Sequence, residues 1–79
     1  MKNKKTFSYS NHSAVIAHLV ITGIDLIQDD LIEQIMGFAL RSEISGNIAV
    51  FTLAIDTESD KNIIEEFKKS LESQGFTKL

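Results

Sequence analysis

The chain has 79 residues, of which 43% are hydrophobic, with no cysteine and no proline. That length allows one small domain, burying only about 60% of the surface its unfolded chain exposes. Without cysteine, disulfides and thiolate metal sites are excluded, which leaves a partner subunit as the natural source of added stability.

The net charge of −3 conceals an asymmetry. Lys2, Lys4 and Lys5 fall in the first five residues, and the remainder carries five basic residues against eleven acidic ones, near −6. An acidic body lacks the basic face that phosphate backbones require, so no nucleic-acid partner is expected. The lysines read as a solvated, frayed terminus. No stretch resembles a signal peptide or a membrane span. The apolar run from Ala14 to Ile24 is broken by His18 and Thr22 and is shorter than the ~20 residues a spanning helix needs. A soluble, cytoplasmic protein with no membrane partner is the expectation. Residues 1–12 are read as an N-terminal arm or edge strand, and 13–79 as a single α+β domain.

In chain order, residues 5–10 (KTFSYS) alternate, with Phe7 and Tyr9 on one side and Thr6, Ser8 and Ser10 on the other, a strand pattern. Asn11–Ser13 is polar and turns the chain. Residues 14–23 (AVIAHLVITG) are apolar and rich in β-branched side chains, and their length and closing Gly23 predict a buried strand. Residues 25–41 read as a helix: Asp25 with Gln28, and Asp30 with Glu33, form capping-box patterns. Ile27, Leu31, Ile35 and Phe38 then follow helical spacing. Gly37 inside this helix is expected to permit close packing on a strand.

The stretch ISGNIAVFTLAID (44–56) poses a choice between one long strand and a hairpin. Gly46-Asn47 suits a two-residue type II′ turn, and thirteen-residue strands are rare in so small a domain. Strands over 42–45 and 48–56 are therefore expected. Residues 57–75 form the clearest helix: Thr57 caps with Asp60 three positions on, and Ile63, Ile64, Phe67 and Leu71 make one stripe. Glu65 pairs with Lys69, and Gly75 ends the helix. Residues 76–79 can lie as an edge strand.

Over 14–79 the order is βαββαβ, preceded by an extra N-terminal strand. This order resembles that of ferredoxin-like and ACT-like domains, which implies an antiparallel sheet with both helices on one face. The resemblance is one of element order alone, and fold analogy does not carry function.

Alternation along the two long strands sorts their side chains. Val15, Ala17, Leu19 and Ile21, with Ala49, Phe51, Leu53 and Ile55, make the better core and belong under the helices. The other face then presents Ile16, Val20, Ile48, Val50 and Ala54, softened only by His18, Thr22 and Thr52. A one-sided antiparallel sheet usually has a polar outer face, whereas an apolar one marks an interface. Ile16, His18, Val20, Ile48, Val50 and Thr52 are thus the candidate interface of a two-fold homodimer. The competing arrangement folds the N-terminal segment over this face, with Phe7 and Tyr9 as its lid.

Chemistry is sparse. His18 is a candidate proton-linked switch at that interface, although a lone strand histidine is more often a satisfied polar group. His12 reads as a solvated turn residue. Asp25, Asp29 and Asp30, or Asp56, Glu58 and Asp60, carry oxygen donors, but neither set has the twelve-residue calcium loop. Acids at helix starts are expected from the dipole alone. No nucleophile motif and no phosphate loop is present, so no catalytic residue, metal or cofactor is expected. Phe51 points to the helix side, unlike the base-stacking aromatics of RNA-binding sheets. The functional expectation is a non-catalytic regulatory or protein-interaction module, homodimeric through its sheet and able to hold another protein. The alternatives are an ACT-like metabolite sensor and, third, an enzyme using His18 with nearby carboxylates.

Overall fold

Two central strands organise the computed structural model, which describes residues 4–79. Ile16–Thr22 (β2) pairs antiparallel with Ile48–Ala54 (β4) along seven residue pairs, from Ile16 opposite Ala54 to Thr22 opposite Ile48. Thr6–Asn11 (β1), Arg41–Ser45 (β3) and Thr77–Lys78 (β5) complete a five-stranded sheet in the order β3-β4-β2-β1-β5. Two helices, Asp29–Phe38 (α1) and Glu58–Ser73 (α2), supply the second layer.

The period-2 alternation of β2 and β4 decides where the core lies. Ala17, Leu19, Ile21, Ala49, Phe51 and Leu53 are fully buried, in one cluster with Leu31 and Ile35 of α1 and with Ile64, Phe67 and Leu71 of α2. Both helices therefore cover the same face of the sheet. Phe7 is also fully buried there, and Tyr9 packs against the same cluster. This overturns the lid arrangement: the N-terminal segment is a strand within the sheet, and its aromatic side chains join the helix-side core. Val15, grouped with the core by alternation, precedes the strand and is half exposed.

The sheet is mixed, not purely antiparallel. β1 pairs antiparallel with β2 but parallel with β5. The crossover through α2 returns the chain so that β5 runs in the direction of β4. Inserting β1 beside β2 gives β5 a neighbour of that same direction. Residues 6–11 thus occupy an interior position, and the two-residue β5 forms that edge.

The first helical segment is shorter than its sequence pattern predicts. Ile24–Leu26 forms a 3-10 turn, Ile27 is extended and buried, and α1 begins after Gln28, which offers no side-chain cap. The capping boxes at Asp25 and Asp30 are not used. Burial of Ile27 in an extended segment wins over helix propagation, because apolar burial is worth more than one cap. At the other end Ala39 is extended, since Arg41 onward must pair with β4. α2 follows its pattern closely: Thr57 Oγ1 accepts from Asp60 N–H at 3.1 Å. Its ion pair, however, is Glu65 with Lys68 at 2.9 Å instead of the expected Lys69. Lys68 turns inward because its ammonium also sits 3.9 Å over the Tyr9 ring, where a cation–π contact holds it.

The hairpin forms as its turn chemistry requires. Gly46 has φ +60°, the conformation a type II′ turn needs at its first central position, and Ser45 faces Ile48 across it. Gly23 has φ +95°, and a Cβ there would lie 2.3 Å from the Lys4 carbonyl oxygen. Nor is Lys5 solvated: its Nζ donates to the Gln74 carbonyl and lies 5.1 Å from the Phe76 ring. Lys2 lies outside the described residues. Gly37, expected to allow close packing, is exposed, and an added Cβ would touch nothing within 4 Å.

Two glycine substitutions should move stability in opposite directions. Gly23→Ala meets both a left-handed backbone and a backbone oxygen, and should cost at least about 2 kcal/mol. Gly37→Ala should stabilise by ~0.5–1 kcal/mol through helix propensity. Urea denaturation midpoints at constant m-value read both effects.

Candidate functional site

Side chains of directly paired residues share a face, so the ladder registers define the surface opposite the helices. Ser10, His18, Thr52 and Arg41 form one row across β1, β2, β4 and β3. Ser8, Val20, Val50 and Glu43 form the next, and Thr6, Thr22, Ile48 and Ser45 a third. Ile16 and Ala54 close one end. All six residues expected at an interface, Ile16, His18, Val20, Ile48, Val50 and Thr52, therefore lie on this one face, opposite both helices.

The apolar part is narrower than alternation in β2 and β4 alone implies. β1 contributes only hydroxyls, Thr6, Ser8 and Ser10, and β3 contributes Arg41 and Glu43. Two strands at ~4.8 Å spacing and ~3.3 Å rise give an apolar stripe on the order of 220 Å² in projection; all four strands give about 450 Å². Ile48 is its most accessible large side chain, 43% exposed, while Ile16, Val20 and Val50 are half-buried by their neighbours. Arg41 Nη2 and Glu43 Oε2 are 2.7 Å apart, with both side chains largely in solvent. Sequence reading missed this pair by assigning Arg41 to the preceding helix. The available signal was the period-2 run Arg41, Glu43, Ser45 leading into the turn.

The structure also brings the two histidines together, with ring centroids 5.2 Å apart and planes inclined at 56°. His12 reaches His18 because residues 12–15 form a tight turn. The backbone N–H groups of His12 and Ser13 donate to the Ile16 carbonyl at 2.9 and 3.0 Å, and Ser13 Oγ accepts from Ile16 N–H at 3.1 Å. Nothing in residue types or spacing announces this contact, which depends on the path of the turn.

A concavity of about 460 Å³ lies between the start of α1 and the end of α2, lined by Lys5, Gln28, Asp30, Gln34, Ser70 and Ser73 among others. Gln28 N–H donates to Gln74 Oε1 at 3.0 Å, which ties the two helix ends together beside it. The acids at the helix starts do not converge: among the described residues no three His, Asp or Glu side chains are placed to grip a metal ion. Phe51 is fully buried under the helices. No helix of the described residues is long and apolar enough to cross a membrane. The chain matches no protein-family model, and neither a curated protein nor a solved structure matches it.

Glu65 on α2 is held below the usual carboxylate range, first by the hydrogen bond from Lys68 and then by that ammonium's charge, with Lys78 and Lys69 adding to it. A carboxyl group depressed in the folded state contributes stability above its unfolded pKa, and that contribution is lost as pH falls through the folded value. Glu65 should therefore titrate below free glutamate in a carbonyl-detected NMR titration, and Glu65→Gln should flatten the acid limb of the stability profile.

Proposed function

We propose that this chain is a small non-catalytic interaction module, regulatory in role, that homodimerises through the open face of its sheet. The observation that carries this reading is the uncharged stripe Ile16, Val20, Ile48, Val50 and Ala54 on the face opposite both helices, flanked by the hydroxyls of β1 and the Arg41–Glu43 pair of β3. The βαββαβ order of residues 16–78 supports a ferredoxin-like scaffold with β1 inserted beside β2, a scaffold whose helix-free face is free for association. A chain whose charge is carried mainly by its helices and termini is suited to a cytoplasmic setting, and it offers no basic surface to a nucleic acid.

Magnitudes set the expected strength. Two apolar stripes of ~220 Å² contribute on the order of 10 kcal/mol at ~25 cal/mol per Å². Association itself costs about 4–15 kcal/mol in lost freedom and ordering. A projected total near 900 Å² also sits just below the ~1,000 Å² expected of a specific interface. The surplus is at most about 6 kcal/mol, so the dimer should be weak, with a dissociation constant of tens of micromolar or above, and concentration-dependent. This suits a module that exchanges its own copy for another protein partner.

A second reading, an ACT-like sensor of small metabolites, draws on the same element order and on the polar cleft at the helix ends. A thermal-shift panel of amino acids and nucleotides tests it, and silence across the panel counts against it.

Sedimentation equilibrium up to submillimolar concentration tests the leading proposal. A reversible dimer is expected. Val20→Lys places a charge at the centre of the stripe, where the long side chain can reach solvent, and should raise the dissociation constant of the face dimer at least about tenfold. A strictly monomeric wild type would overturn the proposal.

A further inference from the structure

Apart from the open face, the free edge of β3 is the surface best suited to a partner. The opposite edge, β5, is only two residues long and offers little to pair with. β3 is five residues long, and Ile44 and the adjoining Leu40 are 50% and 63% exposed. The two-residue turn settles which backbone groups are free. Ser45 and Ile48 flank it as a doubly hydrogen-bonded pair, so alternation directs the N–H and C=O of Ser45, Glu43 and Arg41 toward β4. Those of Ser42 and Ile44 then point away from the sheet. Leu40 N–H is also turned inward, donating to the Thr52 carbonyl at 2.8 Å.

Charged side chains on an edge strand ordinarily guard it against pairing. Here the two guards have opposite signs and stand two residues apart. Consider a second copy laid antiparallel along this edge. With the two-fold axis at Ser42, the two Ser42 residues exchange both of their outward hydrogen bonds. Arg41 then faces Glu43 of the other copy, and Glu43 faces its Arg41. These are non-hydrogen-bonded pairs, where opposing side chains come closest. Sliding the register so that Ser42 opposes Ile44 sets Glu43 against Glu43, which like-charge repulsion disfavours. The register about Ser42 is thus the one that sets opposite charges against each other.

We infer that β3 is a homotypic edge, pairing antiparallel with β3 of a second copy about Ser42 and joining two five-stranded sheets into one of ten strands. This interface runs along the backbone edge, with the Arg41 and Glu43 side chains at the rim of the open face. In the joined sheet the two open faces lie side by side, leaving each free for its own association. If both interfaces form, assembly proceeds beyond a dimer, to a closed tetramer where the two-fold axes are mutually perpendicular and intersect.

The test is run in the Val20→Lys chain, in which face association is weakened equally throughout, so that differences along an Arg41 series report the edge. Sedimentation at submillimolar concentration should still show a dimer, weakened by added salt. Arg41→Glu in that background should weaken it at least about tenfold, because the introduced carboxylate then opposes Glu43 of the other copy. The exchange Arg41→Glu with Glu43→Arg should restore it, because the swapped pair is again self-complementary. Both positions are exposed, so folding is not at stake. Hydrogen exchange followed residue by residue should show the Ser42 and Ile44 amides protected as concentration rises. A monomeric Val20→Lys chain, or equal association by all three variants, overturns the inference. Failure of the open-face proposal is seen separately: Val20→Lys would then associate as the wild type does, while the Arg41 series still discriminates.

Discussion

The seven-pair register between β2 and β4 is the constraint from which the rest of the structure follows. Side chains in a strand alternate with period two, so one register divides both strands' residues between two faces at once. Ala17, Leu19 and Ile21 fall beside Ala49, Phe51 and Leu53, and that surface is bulky enough to bury Ile35, Ile64, Phe67 and Leu71 of the two helices. A slip of one residue would bring Ile16, His18, Val20 and Thr22 beneath the helices and strand Phe51 or Leu19 in solvent. The register is therefore held by the full burial of the core, and the composition of the open face is what remains after the core has been filled.

The two flanking strands then modify that face in different ways. β1 brings hydroxyls and narrows the apolar stripe, while its Phe7 strengthens the core on the other side. β3 brings a charged pair to the rim and leaves its own backbone edge open. A small domain gains from burying such surfaces, because its intrinsic stability is a small difference between large terms. The same surfaces carry an aggregation hazard, which the hydroxyl flank and the very short β5 restrain.

Residues 5–7 and 74–79 are stitched into the body. β5 pairs with β1, and Lys5 reaches the carbonyl of Gln74 at the end of α2. Gln74 in turn accepts from Gln28 at the start of α1. One corner of the molecule thus joins the N-terminal strand, the C-terminal strand and both helices through polar contacts, and the polar cleft lies there. Gly23 is placed where the chain leaves β2 and passes the Lys4 carbonyl, a close approach that any side chain would block.

Local chemistry was enough to read several features from the order of residues. The Gly46-Asn47 turn, the Thr57 cap, the stripe through Ile64, Phe67 and Leu71, and the division of β2 and β4 into two faces all depend on neighbours within a few residues. The early end of α1, the exposure of Gly37, the Lys68–Tyr9 contact and the approach of His12 to His18 depend on segments brought together by folding, and no local pattern records them. The insertion of β1 between β2 and β5, with the mixed sheet it produces, is of the same kind. Strand propensity says that residues 5–10 are extended, but which strands they join is decided by where Phe7 finds a core to enter. Periodicity and turn chemistry thus suffice to place the two central strands, the hairpin turn and the second helix with the apolar side of each, because both act between near neighbours. The choice of neighbouring strands, the width of the open stripe and the identity of the free edge belong to the folded arrangement, because they arise from competition among elements for one small core.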